Sequence, residues 1–66
     1  MRLTVNGRGL DADRELSVEG LVATLTQVRR GVAVAVNGTV VPRSTWADVP
    51  LADGDTVEVL TAAQGG

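Results

Sequence analysis

The sequence contains no cysteine, no histidine and no lysine, and Trp46 is its only aromatic residue. Without cysteine there is no disulfide bond, no thiolate nucleophile and no cysteine-ligated metal. Without histidine the usual general base near neutral pH is missing. The serines and threonines have no identifiable base to activate them, so we expect a protein that is not an enzyme and holds no metal.

Charge and length narrow the possible partners. The 66 residues carry a formal net charge of -2, and all six basic residues are arginines. A nucleic-acid-binding surface usually needs a basic stripe with interleaved aromatic residues, which this chain lacks. The apolar run 32–36 is far too short to span a bilayer, and the N-terminus does not resemble a signal peptide. We expect one domain, 1–66, that is cytoplasmic and monomeric on its own, without nucleic-acid or membrane partners.

The first half of the chain predicts a hairpin. Residues 1–5 alternate between apolar and polar side chains, which is typical of a half-buried strand. Asn6-Gly7 then provides a two-residue turn, because both residues tolerate positive φ. A second strand is expected near 9–12, paired back on the first.

A helix is predicted to begin after Ser17, whose hydroxyl suits the N-cap position. The apolar residues that follow recur at helical spacing and form one core-facing stripe: Val18, Leu21, Val22, Leu25 and Val28. Arg29 and Arg30 suit the C-terminal end of a helix, and Gly31 suits the left-handed position after it. The pattern therefore predicts a helix that extends to Arg30.

The second half predicts three more strands. Residues 31–36 are wholly apolar, which is typical of a central strand with both faces covered, valines on one side and alanines on the other. Asn37-Gly38 repeats the hairpin signal before a short return strand, 39–41. Residues 56–60 alternate again and form the last predicted strand.

Two short segments connect these strands. Residues 44–48 predict one helical turn, in which Trp46 closes one end of the core. Asp53-Gly54-Asp55 predicts a solvated turn rather than a metal site. The element order predicts an α+β protein with the β-grasp, or ubiquitin-like, fold, in which one helix packs across a mixed sheet of four to five strands.

Residues 61–66 follow the last predicted strand as an extended, flexible tail that ends in Gly65-Gly66. Free termini usually fray, so the tail could be without function. Alternatively, Gly66 presents its main-chain carboxylate to a partner's active site, and Gly65 gives access because neither residue has a side chain. The run after Leu60 reaches at most roughly 20 Å when extended, enough to enter such a site.

Several motifs point to one family. They are 5–7, 36–38, 53–55 and 64–66, together with Val41-Pro42-Arg43 and Trp46. These motifs cover nearly the whole chain, and the element that includes Trp46 is the most distinguishing. In them the sequence resembles the ThiS family, the sulfur carrier proteins of bacterial thiamine biosynthesis.

This resemblance implies a carrier that is loaded in two stages. A ThiF-like adenylyltransferase would convert the Gly66 carboxylate to an acyl-adenylate with ATP. Sulfur from a cysteine desulfurase or another donor would displace AMP and leave a thiocarboxylate. The thiazole synthase ThiG would then take that sulfur into the thiazole ring. ATP and magnesium would belong to the adenylyltransferase, so the resemblance implies no cofactor for this chain.

Three alternatives stay open. The first is the same chemistry in another pathway, as in the small subunit of molybdopterin synthase or a carrier for cysteine synthesis. The second is a protein modifier joined to lysines of target proteins, and the third is an interaction module with an idle tail. Candidate docking surfaces lie beside the tail, on the last strand and on the alanine side of 31–36. Trp46 and Arg43 are further candidates, although core closure explains Trp46 more simply.

Overall fold

The computed structural model describes residues 1–12, 15–27 and 30–61 of the chain. The described residues form five strands, one α-helix and one 3₁₀-helix. In chain order these are β1 (Arg2–Val5), β2 (Arg8–Asp11), α1 (Val18–Leu25), β3 (Val32–Val36), β4 (Thr39–Val41), the 3₁₀-helix (Arg43–Asp48) and β5 (Thr56–Thr61). The sheet has the strand order β2-β1-β5-β3-β4, with β1 and β5 parallel and the other neighbours antiparallel. This is the predicted β-grasp arrangement.

The core lies between α1 and one face of the sheet. Helix residues and alternate strand residues contribute to a single buried cluster: Leu3, Val5, Val18, Leu21, Val22, Val34, Val41, Trp46, Leu51, Val57 and Val59. Leu10, Val32 and Val36 pack against this cluster from the same side. Alternate residues of a strand point to opposite faces, so the strand residues between these inner positions lie on the outer face of the sheet. No described element covers that outer face, and α1 lies on the inner one.

Both Asn-Gly pairs form the predicted turns. Asn6 and Gly7 have φ angles of 52° and 83°, and Asn37 and Gly38 have φ angles of 51° and 86°. Two successive positive φ angles define the type I′ turn, whose twist matches that of the flanking strands. The turns therefore fix the register of both hairpins.

The start of α1 is as predicted. The Oγ atom of Ser17 accepts a hydrogen bond from the backbone N–H of Gly20 at 3.0 Å. This contact satisfies one of the N–H groups that have no partner within the helix. Ser17 is therefore the N-cap of α1.

The predicted end of the helix is wrong, because α1 ends at Leu25 and not at Arg30. Thr26 has φ -155° and ψ 149°, which is extended backbone. The hydroxyl of Thr24 donates to the carbonyl oxygen of Leu21 at 2.7 Å, a local bond of the kind that competes with helix continuation. Two threonines in three residues also lower helix propensity, since their β-branched side chains lose rotamer freedom.

The early end of α1 changes the surroundings of the residues that were predicted to follow. Leu25 is 49% exposed instead of buried in the stripe. Val28 and Arg29 lie outside the described residues. Gly31 has the predicted left-handed backbone, with φ 70°, but it directly precedes β3. At eight residues, α1 is the longest helix in the described part of the chain and is too short to cross a membrane.

Strand β3 is not the middle strand, and the prediction that both of its faces are covered is wrong. β5 occupies the centre of the sheet, and β3 lies between β5 and β4. Val34 is buried in the core, whereas Ala33 on the opposite face is exposed. The apolar pattern of β3 therefore reflects a buried valine side and an alanine side on the open outer face.

Trp46 closes the core as predicted. Its side chain is 1% exposed, and its Nε1 donates a hydrogen bond to the carbonyl oxygen of Val41 at 3.0 Å. The 3₁₀-helix that carries Trp46 spans Arg43–Asp48 and replaces the predicted single turn. The indole therefore joins this helix to the end of β4.

The turn at Asp53 and Asp55 is as predicted, but its carboxylates are bonded to the chain as well as exposed to water. Asp53 accepts a hydrogen bond from the backbone N–H of Arg2 at 2.7 Å. Half-buried Asp55 accepts from the backbone N–H of Ala52 at 2.8 Å and from the Nδ2 of Asn37 at 3.0 Å. Within residues 1–12, 15–27 and 30–61, no three acidic side chains cluster closely enough to bind a metal. These two carboxylates therefore stabilise the turn.

Candidate functional site at the end of strand β5

The residues predicted to carry the chemistry, Gly66 and its neighbour Gly65, lie outside the described residues. The structure instead shows the position of β5, the strand that ends at Thr61 and leads into the tail. β5 has β1 on one side and β3 on the other. The tail therefore begins from the centre of the sheet and not from an edge strand.

Asn37 holds the beginning of β5. Its backbone N–H donates to the carbonyl oxygen of Thr56 at 2.7 Å, and its Oδ1 accepts from the N–H of Thr56 at 3.0 Å. The turn residue Asn37 thus pairs with Thr56 through main chain and side chain together. This contact ties the β3–β4 hairpin to the strand that carries the tail.

Asn6 is hydrogen-bonded to β5 at a position nearer to the tail. Its Oδ1 accepts a hydrogen bond from the N–H of Val59 at 2.8 Å, and its Nδ2 donates to the carbonyl oxygen of Val59 at 3.1 Å. The sequence predicts both asparagines as turn residues only and does not reveal these contacts. A signal existed in the residue type, because glycine or aspartate also suits such turns but only asparagine offers a side-chain donor and an acceptor.

Four apolar side chains form a strip on the outer face, which we call the outer strip: Ala33, Ala35, Val40 and Leu60. Leu60 pairs with Ala33 across the β5–β3 ladder, and Val40 pairs with Ala35 across the β4–β3 ladder. Val40 is 71% exposed and Leu60 is 67% exposed. Large apolar side chains that stand together in water usually mark a contact surface.

The outer strip unites two of the predicted docking regions, the last strand and the alanine side of β3. Trp46 does not belong to it, since its side chain is buried in the core. Arg43 is exposed at the beginning of the 3₁₀-helix. Val40 was not singled out from the sequence, because its exposure depends on β4 being at the edge of the sheet.

One carboxylate borders the outer strip directly. Glu58 is exposed and pairs with Ala35 on the same face. Farther along this face, Arg2 and Asp11 form an ion pair at 2.8 Å with both side chains largely exposed. A solvent-exposed pair of this kind contributes little to stability. Among the described residues that pair on this face, Glu58 is therefore the one negative charge that directly borders the outer strip.

Comparison with known proteins extends over the whole chain. The family model of the ThiS family matches residues 3–66. The sulfur carrier protein ThiS of Escherichia coli is 30% identical over 66 residues, which are 100% of each chain. A thiazole synthase of Paramagnetospirillum magneticum is 36% identical over 66 residues, which are 100% of this chain but only 20% of that protein. The chain thus spans about a fifth of the length of that relative.

Solved structures agree with this assignment. The crystal structure of the thiamine biosynthesis protein ThiS from Geobacter metallireducens matches with a TM-score of 0.82 and 36% identity, covering 100% of both chains. An NMR structure of a thiamine biosynthesis protein from the same organism matches with a TM-score of 0.83 and 36% identity, covering 100% of this chain and 88% of that one. The chain belongs to the ThiS family, the β-grasp sulfur carriers of thiamine biosynthesis.

Proposed function

We propose that the main-chain carboxylate of Gly66 is the group that carries sulfur. A carboxylate oxygen attacks the α-phosphorus of ATP, pyrophosphate leaves, and an acyl-adenylate forms at the C-terminus. A sulfide equivalent then attacks the carbonyl carbon, the C–O bond to AMP breaks, and a thiocarboxylate remains. Transfer of that sulfur to the acceptor, with an oxygen atom from water or from the acceptor taking its place on the carbonyl carbon, returns the carboxylate. The chain itself contributes no catalytic side chain to these steps.

The position of β5 is the observation that carries this proposal. β5 ends at Thr61, directly after Leu60 of the outer strip. A partner that contacts the outer strip therefore lies beside the start of the tail. The residues after Leu60 reach at most roughly 20 Å, which suits an active site that opens next to the contact surface.

The adenylation step requires a first partner, which we infer is a ThiF-like adenylyltransferase. Such an enzyme must supply ATP and magnesium, so the carrier needs no cofactor of its own. The apolar outer strip suits an apolar patch on this partner, and a basic residue at its rim would complement Glu58. The sulfur itself would come from a cysteine desulfurase or from another donor.

The second proposed partner is the thiazole synthase ThiG. The relative named as a thiazole synthase contains a stretch similar to this entire chain within a protein about five times as long. A carrier segment joined to a synthase is always close to the enzyme that uses its sulfur, since a linker raises the effective concentration of one for the other. We infer that the separate chain delivers its sulfur to the same class of enzyme.

Intact mass spectrometry tests this proposal. The purified chain is incubated with ATP, magnesium, a sulfide source and the adenylyltransferase, with a matched reaction that lacks ATP. We expect the mass change of one oxygen replaced by one sulfur, only when ATP is present. Fragmentation should locate the sulfur on Gly66.

Other outcomes would identify the alternatives. A mass that stays unchanged while the adenylyltransferase loads its own carrier contradicts the proposal. Covalent adducts with other proteins that resist thiols would indicate a protein modifier. In a deletion strain, growth restored by the thiazole moiety supports delivery to ThiG, whereas loss of molybdoenzyme activity would indicate the molybdopterin pathway.

A further inference from the structure

We propose that Asn6 is a positioning residue, which fixes the point where the C-terminal tail leaves the sheet. The proposal rests on the proposed function, in which Gly66 must reach a partner's active site while the folded body is docked. Asn6 lies far from Gly66 in the sequence, but its side chain is hydrogen-bonded to Val59 of β5, the strand that leads to the tail.

The backbone of β1 supports only the first part of β5. The N–H of Thr4 donates to the carbonyl oxygen of Asp55 at 3.0 Å, and the N–H of Asn6 donates to the carbonyl oxygen of Val57 at 2.9 Å. The chain then turns at Gly7, so β1 has no further peptide group to offer to Val59.

At Val59 the side chain of Asn6 provides the hydrogen bonds that the backbone of β1 does not. Its carboxamide accepts from the N–H of Val59 at 2.8 Å and donates to the carbonyl oxygen of Val59 at 3.1 Å. A carboxamide has the same donor and acceptor groups as a peptide bond, so it extends the ladder by one residue without any additional main chain. The left-handed backbone of Asn6, with φ 52°, belongs to the turn that brings the side chain here.

Alternation along β5 makes this the last contact on the β1 side among the described residues. Val57 and Val59 direct their main-chain groups towards β1 and Asn6. Main-chain groups alternate in direction along a strand, so those of Glu58 and Leu60 face β3, the antiparallel neighbour. The main chain of Thr61 again points to the β1 side, beyond the reach of the β1 strand. From Leu60 onwards, β5 is therefore held from the β3 side.

Loss of the Asn6 side chain would move the last contact on the β1 side back by two residues, from Val59 to Val57. Two extended residues correspond to about 7 Å of chain. A longer and less directed tether lowers the effective concentration of the terminal carboxylate in a partner's active site. The contact surface itself would change little, so the effect should fall on kcat for loading more than on KM.

Asn37 provides a matched control for this inference. It also precedes a glycine in a type I′ turn, has nearly the same φ, and bonds a β5 residue through its Oδ1, but it does so at the far end of the strand. The variants Asn6→Gly and Asn37→Gly each remove the carboxamide side chain, and the glycine that replaces asparagine still tolerates the positive φ of the turn. Both variants are compared in urea unfolding, in amide hydrogen exchange and in steady-state loading with ATP, sulfide and the adenylyltransferase.

We expect Asn6→Gly to lower kcat for loading about fivefold while KM stays within about twofold of the original chain. Amide exchange of Val59, whose N–H loses its acceptor, should become about tenfold faster in this variant. Asn37→Gly should lose comparable stability in urea, because it also removes two side-chain hydrogen bonds, one with Thr56 of β5 and one with Asp55 just before it. It should nevertheless load at the original rate and show faster exchange at Thr56 instead.

Equal kcat values for the two variants would overturn the inference, as would a rise in KM without a fall in kcat. Exchange of the Val59 amide that is unchanged in Asn6→Gly would also overturn it. If Asn6→Gly does not fold, Asn6→Asp replaces it, because this variant keeps an acceptor for the Val59 N–H and exchanges the donor for a carboxylate oxygen, which repels the Val59 carbonyl oxygen. Failure of the original chain to be loaded would instead contradict the proposed function, and the exchange measurements would still test the exit point.

Discussion

Leu60 lies directly opposite Ala33 in the ladder between β5 and β3, one residue before β5 ends. The leucine side chain is 67% exposed, and the alanine beside it is exposed too. The fold gives no reason for a large apolar side chain at this position, since the core lies on the other face of the sheet. A partner that covers Leu60 would bury apolar surface next to the start of the tail.

We predict that Leu60→Ser weakens binding of the adenylyltransferase and leaves the fold intact. The exposed side chain contributes little to the core, so the free energy of unfolding should change by less than about 1 kcal/mol. Loss of a central apolar contact in an interface raises KM for loading about tenfold, with kcat nearly unchanged. Steady-state loading at varied carrier concentrations, together with urea unfolding, measures both quantities.

Leu25→Ser is the matched control for this prediction. Leu25 is also a leucine with an exposed side chain, at 49%, but it belongs to α1 and not to the outer strip. We expect Leu25→Ser to leave KM unchanged. An equal rise in KM for both variants would show that the outer strip is not the contact surface.

A second prediction concerns the indole of Trp46. In Trp46→Phe the carbonyl oxygen of Val41 loses the donor that lies 3.0 Å away. A buried acceptor without a partner costs about 1–3 kcal/mol, and the smaller ring also leaves part of the core unfilled. For a domain of this size, whose total stability is about 3–10 kcal/mol, we expect a clearly lower urea midpoint.

Circular dichroism is the suitable measurement for Trp46→Phe, because the variant loses the only tryptophan fluorophore. Val40→Ala serves as the control, since Val40 is 71% exposed on the strand that precedes this contact. It should change the free energy of unfolding by only about 0.5 kcal/mol. If Trp46→Phe proves no less stable than Val40→Ala, the hydrogen bond to Val41 has no energetic role.

The third prediction tests the N-cap of α1. Ser17→Ala removes the acceptor of the Gly20 N–H, so the first turn of a short helix loses its side-chain cap. We expect a loss of about 1 kcal/mol in the free energy of unfolding. Ser44→Ala replaces an exposed serine in the 3₁₀-helix and should cost less than about 0.5 kcal/mol. Urea unfolding that shows equal losses for the two variants would argue against the cap.

Local signals explain most of what the sequence predicted correctly. Asn6-Gly7 and Asn37-Gly38 tolerate the positive φ that type I′ turns require, Ser17 is a favoured N-cap, and the alternation in β1 and β5 separates core from surface. Each of these features depends on neighbours within a few residues. The element order then left the β-grasp as the natural arrangement.

Long-range contacts explain what could not be predicted. The end of α1 at Leu25 depends on the threonines that follow and on packing that a periodic stripe does not reveal. The exposure of Val40 depends on the place of β4 at the sheet edge. The pairing of Asn6 with Val59 joins residues that are 53 positions apart, and no short motif encodes such a distance.

The last prediction concerns the tail itself. Deletion of Gly65 and Gly66 should abolish loading, because the carboxylate then belongs to Gln64 and lies about 7 Å short of its former reach. Addition of one bulky residue after Gly66 should abolish loading as well, since a side chain would obstruct a narrow channel. Neither change touches the described core, so urea unfolding should match that of the original chain. A truncated chain that still restores thiamine synthesis in a deletion strain would show that the two glycines are not the site.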